Sequence, residues 1–444
     1  MRIIILLFIG LGMISIQSCK EDLATPFDLN DASDYPADVA IQWVELHRDL
    51  VKSTPGYTPP VAARSYAYAA LTLYESVVQG MRHKVSYKNL IQGFDGSELP
   101  SIDVSLQYNW ELSANAAMAF ILRKQFKTAP AEKLLAIDQL EETIIDQSNE
   151  EDSATLKRSI VLGQQVAEAV YNFSKTDGQD QAYTTNFPDY TIPDVPGKWE
   201  PTAPGQKPLQ PYWGNVRSFL AEDADNALFI QNTAYSTDPK SLFYLEANEV
   251  YLTSLQLSAE QTTIAKFWSD DPGLTGTPPG HSMSIASIVL QNENADLGYA
   301  AEVFSKVGLA VHDAFVSCWK CKYTFNLLRP VTYIRKFIDP NYNTLLATPP
   351  FPEHTSGHSV QTAAAMAVLE SFFGNYYDIT DVTHAKRTDI TFSPRQFSSF
   401  QDLANEAAIS RLYGGIHYRP AIELGIKQGR QIGRNISLIN LNKK

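Results

Sequence analysis

Three cysteines in 444 residues are too few for a disulfide-built scaffold. The two that follow position 19, Cys318 and Cys321, cannot by themselves supply a four-ligand zinc site. Their spacing in Cys318-Trp319-Lys320-Cys321 suits either a local disulfide or two packed thiols. Positive charge is also in short supply: 36 Lys and Arg against 49 Asp and Glu give a formal net charge of -13. Such a surface repels nucleic acid and anionic membranes, so no nucleic-acid partner is expected. A site for a small anion would need local positive charge set against that global field. Past the N-terminus no stretch approaches the roughly 20 consecutive apolar residues that cross a bilayer, so a soluble body is expected. Apolar material as such is plentiful, at 44% of residues, which is ample for a large folded core and excludes a disordered chain.

The one long apolar run lies at the start. Residues 1–18 place Arg2 before an apolar stretch that ends in Ile16-Gln17-Ser18-Cys19, a pattern resembling a secretory signal with a lipoprotein cleavage box. The Lys20-Glu21-Asp22 that follows resembles the export signals of surface lipoproteins. The expectation is an exported, periplasmic or outer-membrane or cell-surface protein whose only membrane contact is a lipid anchor at Cys19. Removing Arg2 with the signal takes the net charge from -13 to -14. Residues 19–38, rich in Asp and Pro, read as the tether, and 39–440 as a single helical domain.

Within that domain apolar residues recur at helical spacing and strand signals are few. Helices are expected near 37–53, 61–81, 104–127, 131–147, 153–174, 240–256, 258–269, 282–292, 297–329, 358–373, 400–413 and 421–437. A Pro-, Gly-, Tyr- and Trp-rich stretch over about 176–215 is too long for a simple connection and reads as a wrapped surface loop. The expected fold class is all-α, bundle-like, with long irregular loops and no fixed-period repeat.

Three separated motifs carry chemistry. In the first, Lys322 and Arg329 stand seven residues apart before Pro330. On one continuous helix they would share a face, about 10 Å apart, with Phe315, Trp319 and Phe325. Two inward-pointing cations need either carboxylates, with Asp313 one or two turns earlier a candidate, or a bound anion. The second motif is Phe351-Pro352-Glu353-His354-Thr355-Ser356-Gly357-His358, just before a helical pattern. Ser356 and Gly357 there suit either an ordinary N-cap or an oxyanion cradle of hydroxyl and free backbone amides. His358, in the first turn, could exchange protons with whatever the cradle holds. A similar Gly280-His281-Ser282 lacks basic neighbours at useful spacing, which makes His281 structural or supporting. The third motif runs Ser410-Arg411-Leu412-Tyr413-Gly414-Gly415-Ile416-His417. Arginine supplies a permanent fork-like charge, and neutral imidazole a lone pair for a metal or phosphorus centre.

Lys, six residues, Arg-Pro, then Ser-Gly-His, then Ser-Arg, five residues, His: this order resembles the three-part signature of the type 2 phosphatidic acid phosphatase and vanadium haloperoxidase superfamily. The chain is most similar to the flavobacterial iodoperoxidases among its members. The resemblance implies a vanadate cofactor, with phosphate able to occupy the same site, and hydrogen peroxide and halide as partners. It implies that His417 ligates vanadium, that Lys322, Arg329 and Arg411 neutralise the oxygens, and that Ser356 and the Gly357 amide complete the hydrogen bonds. His358 would serve as general acid and base, Lys322 would polarise the activated oxygen, and Trp319 and Phe351 would stand at the halide side. Core packing is the alternative for those two aromatics. The expected activity is oxidation of halide, iodide first, to hypohalous acid. An acid phosphatase with a histidine nucleophile and a non-catalytic oxyanion-binding lipoprotein are the alternatives. One departure favours the peroxidase: the acid that the signature places four residues after its last histidine is Ala421 here, with Glu423 nearby. Losing that carboxylate harms a histidine nucleophile more than a metal ligand.

Overall fold

The computed structural model describes residues 30–148, 151–225 and 233–443. The signal-like segment, Cys19 and the first part of the tether lie outside the described residues.

The described chain is helical: α1 (Asp38–Ser53), α2 (Pro59–Val77), α3 (Trp110–Gln125), α4 (Ala131–Gln147), α5 (Ser153–Ser174), α6 (Ala221–Asp225), α7 (Leu242–Leu255), α8 (Ala259–Phe267), α9 (Thr277–Asn292), α10 (Leu297–Phe325), α11 (Pro330–Phe337), α12 (Gly357–Phe373), α13 (Phe400–Tyr413) and α14 (Arg419–Ser437). Their ends follow local chemistry. Asn109, Asp152, Ser241, Asp296, Ser356 and Ser399 each accept a hydrogen bond from a free backbone amide of the first turn. Prolines open α2, α9, α11 and α14, where a missing N–H leaves no helical bond unmade. One short antiparallel pair, β1 (Ile379–Asp381) and β2 (Arg395–Phe397), was not legible as strands and pairs Thr380 with Gln396 at its centre. No helix among the described residues is long and apolar enough to cross a membrane.

The 29-residue α10 forms the centre, buried along nearly its whole length between α2 on one side and α12 and α14 on the other. A second apolar cluster, with Phe243, Leu328, Tyr333, Leu412 and Tyr418, underlies the turn that follows α10. Helices α12 and α14 meet backbone to backbone. A Cβ on Gly429 would lie 2.0 Å from the Val360 carbonyl oxygen, and one on Gly433 2.3 Å from that of Ala364. That contact holds the start of α12 in place, because the Ser356 amide donates to the Ala421 carbonyl at 3.1 Å.

The main departure from the expected helices is at α10. It ends at Phe325, with Asn326 in the left-handed region at φ 48°, and Arg329 is the residue that precedes α11. Pro330 therefore starts a helix and does not stop one. Lys322 and Arg329 consequently do not lie on one helical face; they approach the interior from opposite sides of a turn. Ser317 is buried as well. The long loop keeps its wrapped character and includes short 3-10 turns at Ala182–Thr184 and Trp213–Asn215. It is pinned to α10 by the Trp199 amide on Asn326 O and by the side chains of Trp319 and Tyr323, which both donate to Leu209 O.

Gly429→Ala should destabilise the protein by about 1–3 kcal/mol, the range for overpacking a filled interface. This should hold despite the ~1 kcal/mol that alanine gains over glycine in a helix. A denaturant midpoint at or above that of the parent protein would show that α12 and α14 separate without penalty.

Candidate active site

Three cations from three elements converge behind one cavity. The fully buried Lys322 ammonium, on the last turn of α10, has three protons and three carbonyl acceptors: Pro352 at 3.1 Å, Glu353 at 3.0 Å and Thr355 at 2.5 Å. Burial, with the Arg329 charge adding to it, pushes its pKa down to about 8. Its role in this structure is to fasten the 352–355 segment, and it does not border the cavity. Arg329 donates Nε–H to the Phe351 carbonyl at 2.9 Å and Nη1–H to that of Ile416 at 2.8 Å, while Nη2 is buried without a partner. Arg411, at the end of α13, donates Nη1–H to the Trp268 carbonyl at 2.9 Å and leaves a buried Nε unpartnered. Burial brings both guanidinium pKa values down to about 10. Asp313 does not pair with these cations: its carboxylate accepts the Phe219 and Leu220 amides.

His417 follows Gly414 and Gly415. Gly415 has φ 76°, and a Cβ there would lie 2.6 Å from the Tyr342 hydroxyl, so the turn admits no side chain. The His417 Nδ1 lies 2.7 Å from Glu353 Oε1, an oxygen that also accepts the Tyr418 amide at 3.0 Å. A carboxylate on Nδ1 fixes the proton there and leaves Nε2 as an acceptor, which takes the Arg329 Nη1–H at 3.3 Å. Burial first, and then the Arg329, Lys322 and Arg411 charges, hold the His417 pKa well below its usual range, so the ring is neutral. Burial lifts the Glu353 carboxyl to about 7 against the pull of Arg329 and Lys322.

Glu353 is the residue that sequence reasoning missed. The expected carboxylate position, Ala421, is empty of charge, but Glu353 reaches the same imidazole from 64 residues earlier in the chain. Its signal was present, an acidic residue beside the Ser-Gly-His motif, yet only the fold shows which histidine it meets. Contrary to the expectation drawn from Ala421, a histidine nucleophile here does have an orienting carboxylate.

His358 sits in the first turn of α12 and borders the cavity with Gly357, Arg411 and His417. One ring nitrogen bonds the Ser269 backbone, and Nε2 is without a partner. Burial, then the Arg411 charge, lowers its pKa well below the usual value, leaving a neutral base. Ser356 caps α12, accepting from the Ser359 amide at 3.4 Å and lying 2.9 Å from the Ser359 hydroxyl. It stands behind the cavity wall, as Arg329 does, while Gly357 faces in.

The cavity holds about 320 Å3. Its floor is Arg411, His358, His417 and Gly357, with Arg329 and Lys322 behind them, and its sides are largely apolar. Phe315, Trp319 and Phe351 form one side, with ring centroids of Trp319 and Phe351 4.9 Å apart. Phe187 and Leu209 of the long loop, with Leu346, Pro349 and Pro350, supply another. The segment Ser269–Pro272 closes the remainder. Beside it, His281 is buried between Asp270 and Asp381, 2.8 Å from each. Cys318 and Cys321 form no disulfide and lie 3 residues apart in the buried part of α10, which leaves the packed-thiol alternative standing.

The fold and site define a class: an all-helical protein with a neutral, lone-pair-bearing histidine at the bottom of a cationic oxyanion cradle. Residues 302–440 match the family described as the VCPO second helical-bundle domain. Vanadium chloroperoxidase of Curvularia inaequalis is 23% identical over 285 residues, 49% of this chain and 47% of that protein, so the match spans about half the length of this curated relative. The crystal structure of the first bacterial vanadium-dependent iodoperoxidase superposes with a TM-score of 0.83 at 32% identity, covering 92% of this chain and 97% of that one. A holo-type bacterial vanadium-dependent chloroperoxidase has the same fold, with a TM-score of 0.65 at 16% identity over 94% and 98% of the two chains. The chain belongs to the vanadium haloperoxidase family.

Glu353→Ala should weaken orthovanadate binding about 10- to 100-fold, the usual effect of removing the partner that orients a histidine ligand. Glu353→Gln, which keeps an acceptor, should lose less. Equilibrium dialysis of phosphate-free protein measures both, and unchanged affinity in the alanine variant would remove Glu353 from the site.

Proposed function

We propose that this protein is a vanadate-dependent haloperoxidase that oxidises iodide with hydrogen peroxide to hypoiodous acid. The observation that carries the reading is the set of buried polar atoms left without partners, Arg329 Nη2, Arg411 Nε and His358 Nε2, around a His417 Nε2 whose tautomer Glu353 fixes. Two arginine donors that have no acceptor in the protein, beside two neutral imidazoles, fit a tetrahedral oxyanion bound through His417 Nε2 with His358 Nε2 as the nearby base. Orthovanadate meets this description in charge and shape, as does phosphate. Vanadate bound there would supply a Lewis-acidic centre that activates hydrogen peroxide for two-electron oxidation of a halide.

The chain's own residues do the rest. Arg329 and Arg411 hold the oxygens and balance their charge. The Gly357 amide, at the start of α12, adds the favourable end of a helix dipole. His358 Nε2, neutral and facing the cavity, accepts a proton from incoming hydrogen peroxide and returns it to the departing oxygen. Lys322 acts from behind, keeping a positive charge under the site while it fastens the 352–355 segment. Trp319 and Phe351 exclude water that would otherwise solvate the halide. Iodide is favoured because an oxidant of fixed strength takes electrons from it most readily. The 32% identity to a protein described as an iodoperoxidase supports the same choice. The N-terminal pattern at Cys19 supports an exported, lipid-anchored enzyme.

A second reading is favoured by one specific observation. Glu353 orients His417 as a nucleophile as well as it orients a ligand, so phosphomonoester hydrolysis has the groups it needs.

Two measurements separate the readings. After phosphate removal, His417→Ala should bind no vanadate, whereas His358→Ala should bind it and lose turnover; equal loss of binding in both would refute that division of roles. Vanadate-loaded protein should convert iodide and hydrogen peroxide to triiodide and leave chloride untouched. If iodide is untouched and vanadate-free protein instead releases nitrophenol from p-nitrophenyl phosphate, the protein is a phosphatase. If neither occurs, it is an oxyanion-binding protein.

A further inference from the structure

Beside the cavity, three segments bring a second set of ligating side chains together. Asp270 lies on the loop before α9, His281 on the first turns of α9, and His384 just after β1. All three are buried, and one ligand atom from each lies within 4.8 Å of the others. The His281 Nδ1 is 2.8 Å from Asp270 Oδ2, and its Nε2 is 2.8 Å from Asp381 Oδ2. His384 Nε2 forms an ion-pair contact with Asp270 Oδ1 at 3.2 Å that is poorly aligned for a hydrogen bond. Close spacing without alignment is that of two neighbouring ligands of one ion.

We propose that this cluster is a divalent transition-metal site of the zinc type. Asp270, His281 through Nδ1 and His384 through Nε2 are its ligands, and Asp381 is the carboxylate that orients His281. The donor set decides the class of ion. Two imidazole nitrogens and one carboxylate oxygen suit zinc and its borderline neighbours. Calcium and magnesium would need about six oxygens, which are not here. Bonds of about 2.0–2.2 Å to a tetrahedral ion put ligand atoms roughly 3.4 Å apart. The 2.8 and 3.2 Å separations are already close to that. Asp381 on the far nitrogen of His281 is the carboxylate–histidine–metal arrangement that fixes ring orientation and raises ligand basicity. A water molecule would complete four-coordination.

Asp270 also borders the cavity, so the site adjoins the cationic set and differs from it in the sign of its charge. Its effect on the cradle is positional. The Trp268 ring stacks on His281 with centroids 4.5 Å apart, and the Trp268 carbonyl accepts Arg411 Nη1. The next residue, Ser269, bonds the His358 ring through its backbone. An ion that clamps Asp270 to His281 and His384 thereby fixes the loop against which both Arg411 and His358 are set.

The test uses untagged, full-length protein stripped with EDTA and then titrated with zinc, by calorimetry and by elemental analysis after dialysis. Cobalt(II) serves as a spectroscopic probe. The parent protein should take up one equivalent of zinc, melt at a higher temperature with it, and give the visible bands of four-coordinate cobalt. No thiolate charge-transfer band should appear, which distinguishes the cluster from Cys318 and Cys321. His384→Ala should lose stoichiometric uptake, and Asp381→Asn should bind about 10- to 100-fold more weakly. Should His384→Ala fail to fold, the parent titration and Asp381→Asn still decide. The proposal is overturned if the parent protein takes up no stoichiometric zinc or cobalt, since His281 is then simply an imidazolium between two carboxylates. It is equally overturned if His384→Ala or Asp381→Asn binds as tightly as the parent.

Discussion

Three buried cations gather at one site, two of them, Lys322 and Arg329, facing the buried Glu353 and the third, Arg411, facing Asp270 and Asp271, and the rest of the site is arranged around them. Lys322, Arg329 and Arg411 are withdrawn from water, and Glu353 is the one carboxylate that accepts from His417 at their centre. Removing a charge from solvent costs several kcal/mol even after relaxation. The structure offsets that cost with carbonyls, supplied by Phe351, Pro352, Glu353, Thr355, Ile416 and Trp268. Carbonyls are dipoles, and they solvate a cation without neutralising it. Donors without acceptors, Arg329 Nη2 and Arg411 Nε, therefore persist beside the cavity in a chain whose net charge is -13. Any anion held by them would stabilise the folded state by mass action.

The same carbonyls explain why the irregular segments are well defined. The 350–356 segment has no helix or sheet of its own, yet its polar backbone groups are engaged by Lys322, Arg329, the Leu209 amide and the contact with α14. The charged side chains act as the cross-links of the loop. Removing one of them would loosen the backbone that presents Gly357 and His358, so binding and positioning are not separable functions of these residues.

Much of this was legible in the sequence because the relevant signals are local. Helix starts are written in single capping residues and prolines, and the Gly414-Gly415 break before His417 is written in two glycines. The inward placement of Lys322 and Arg329 was also readable, from the apolar residues around them. Their geometry was not, because a seven-residue spacing looks the same on an unbroken helix and across a left-handed Asn326. Ser356 reads equally as a cap and as an oxyanion donor, and in the folded chain its hydroxyl faces Ser359. Glu353 lay in plain view beside Ser-Gly-His, but the choice between His358 and His417 as its partner is a matter of tertiary packing. The Asp270–His281–Asp381 network had no sequence signal, since its members come from positions 111 residues apart at the extremes.

The division of labour between floor and wall has a consequence for how such proteins diverge. The floor is set by helix ends locked to a rigid core, where a shift of one residue would misplace a charge. Much of the wall is contributed by Phe187 and Leu209, on a long connection free of helix-pitch constraints. Substitutions, insertions and deletions there can reshape access and polarity while the grip on the anion stays as it is. Two chains with matching motifs can thus differ in what enters the cavity through a segment that lies far from those motifs in the sequence.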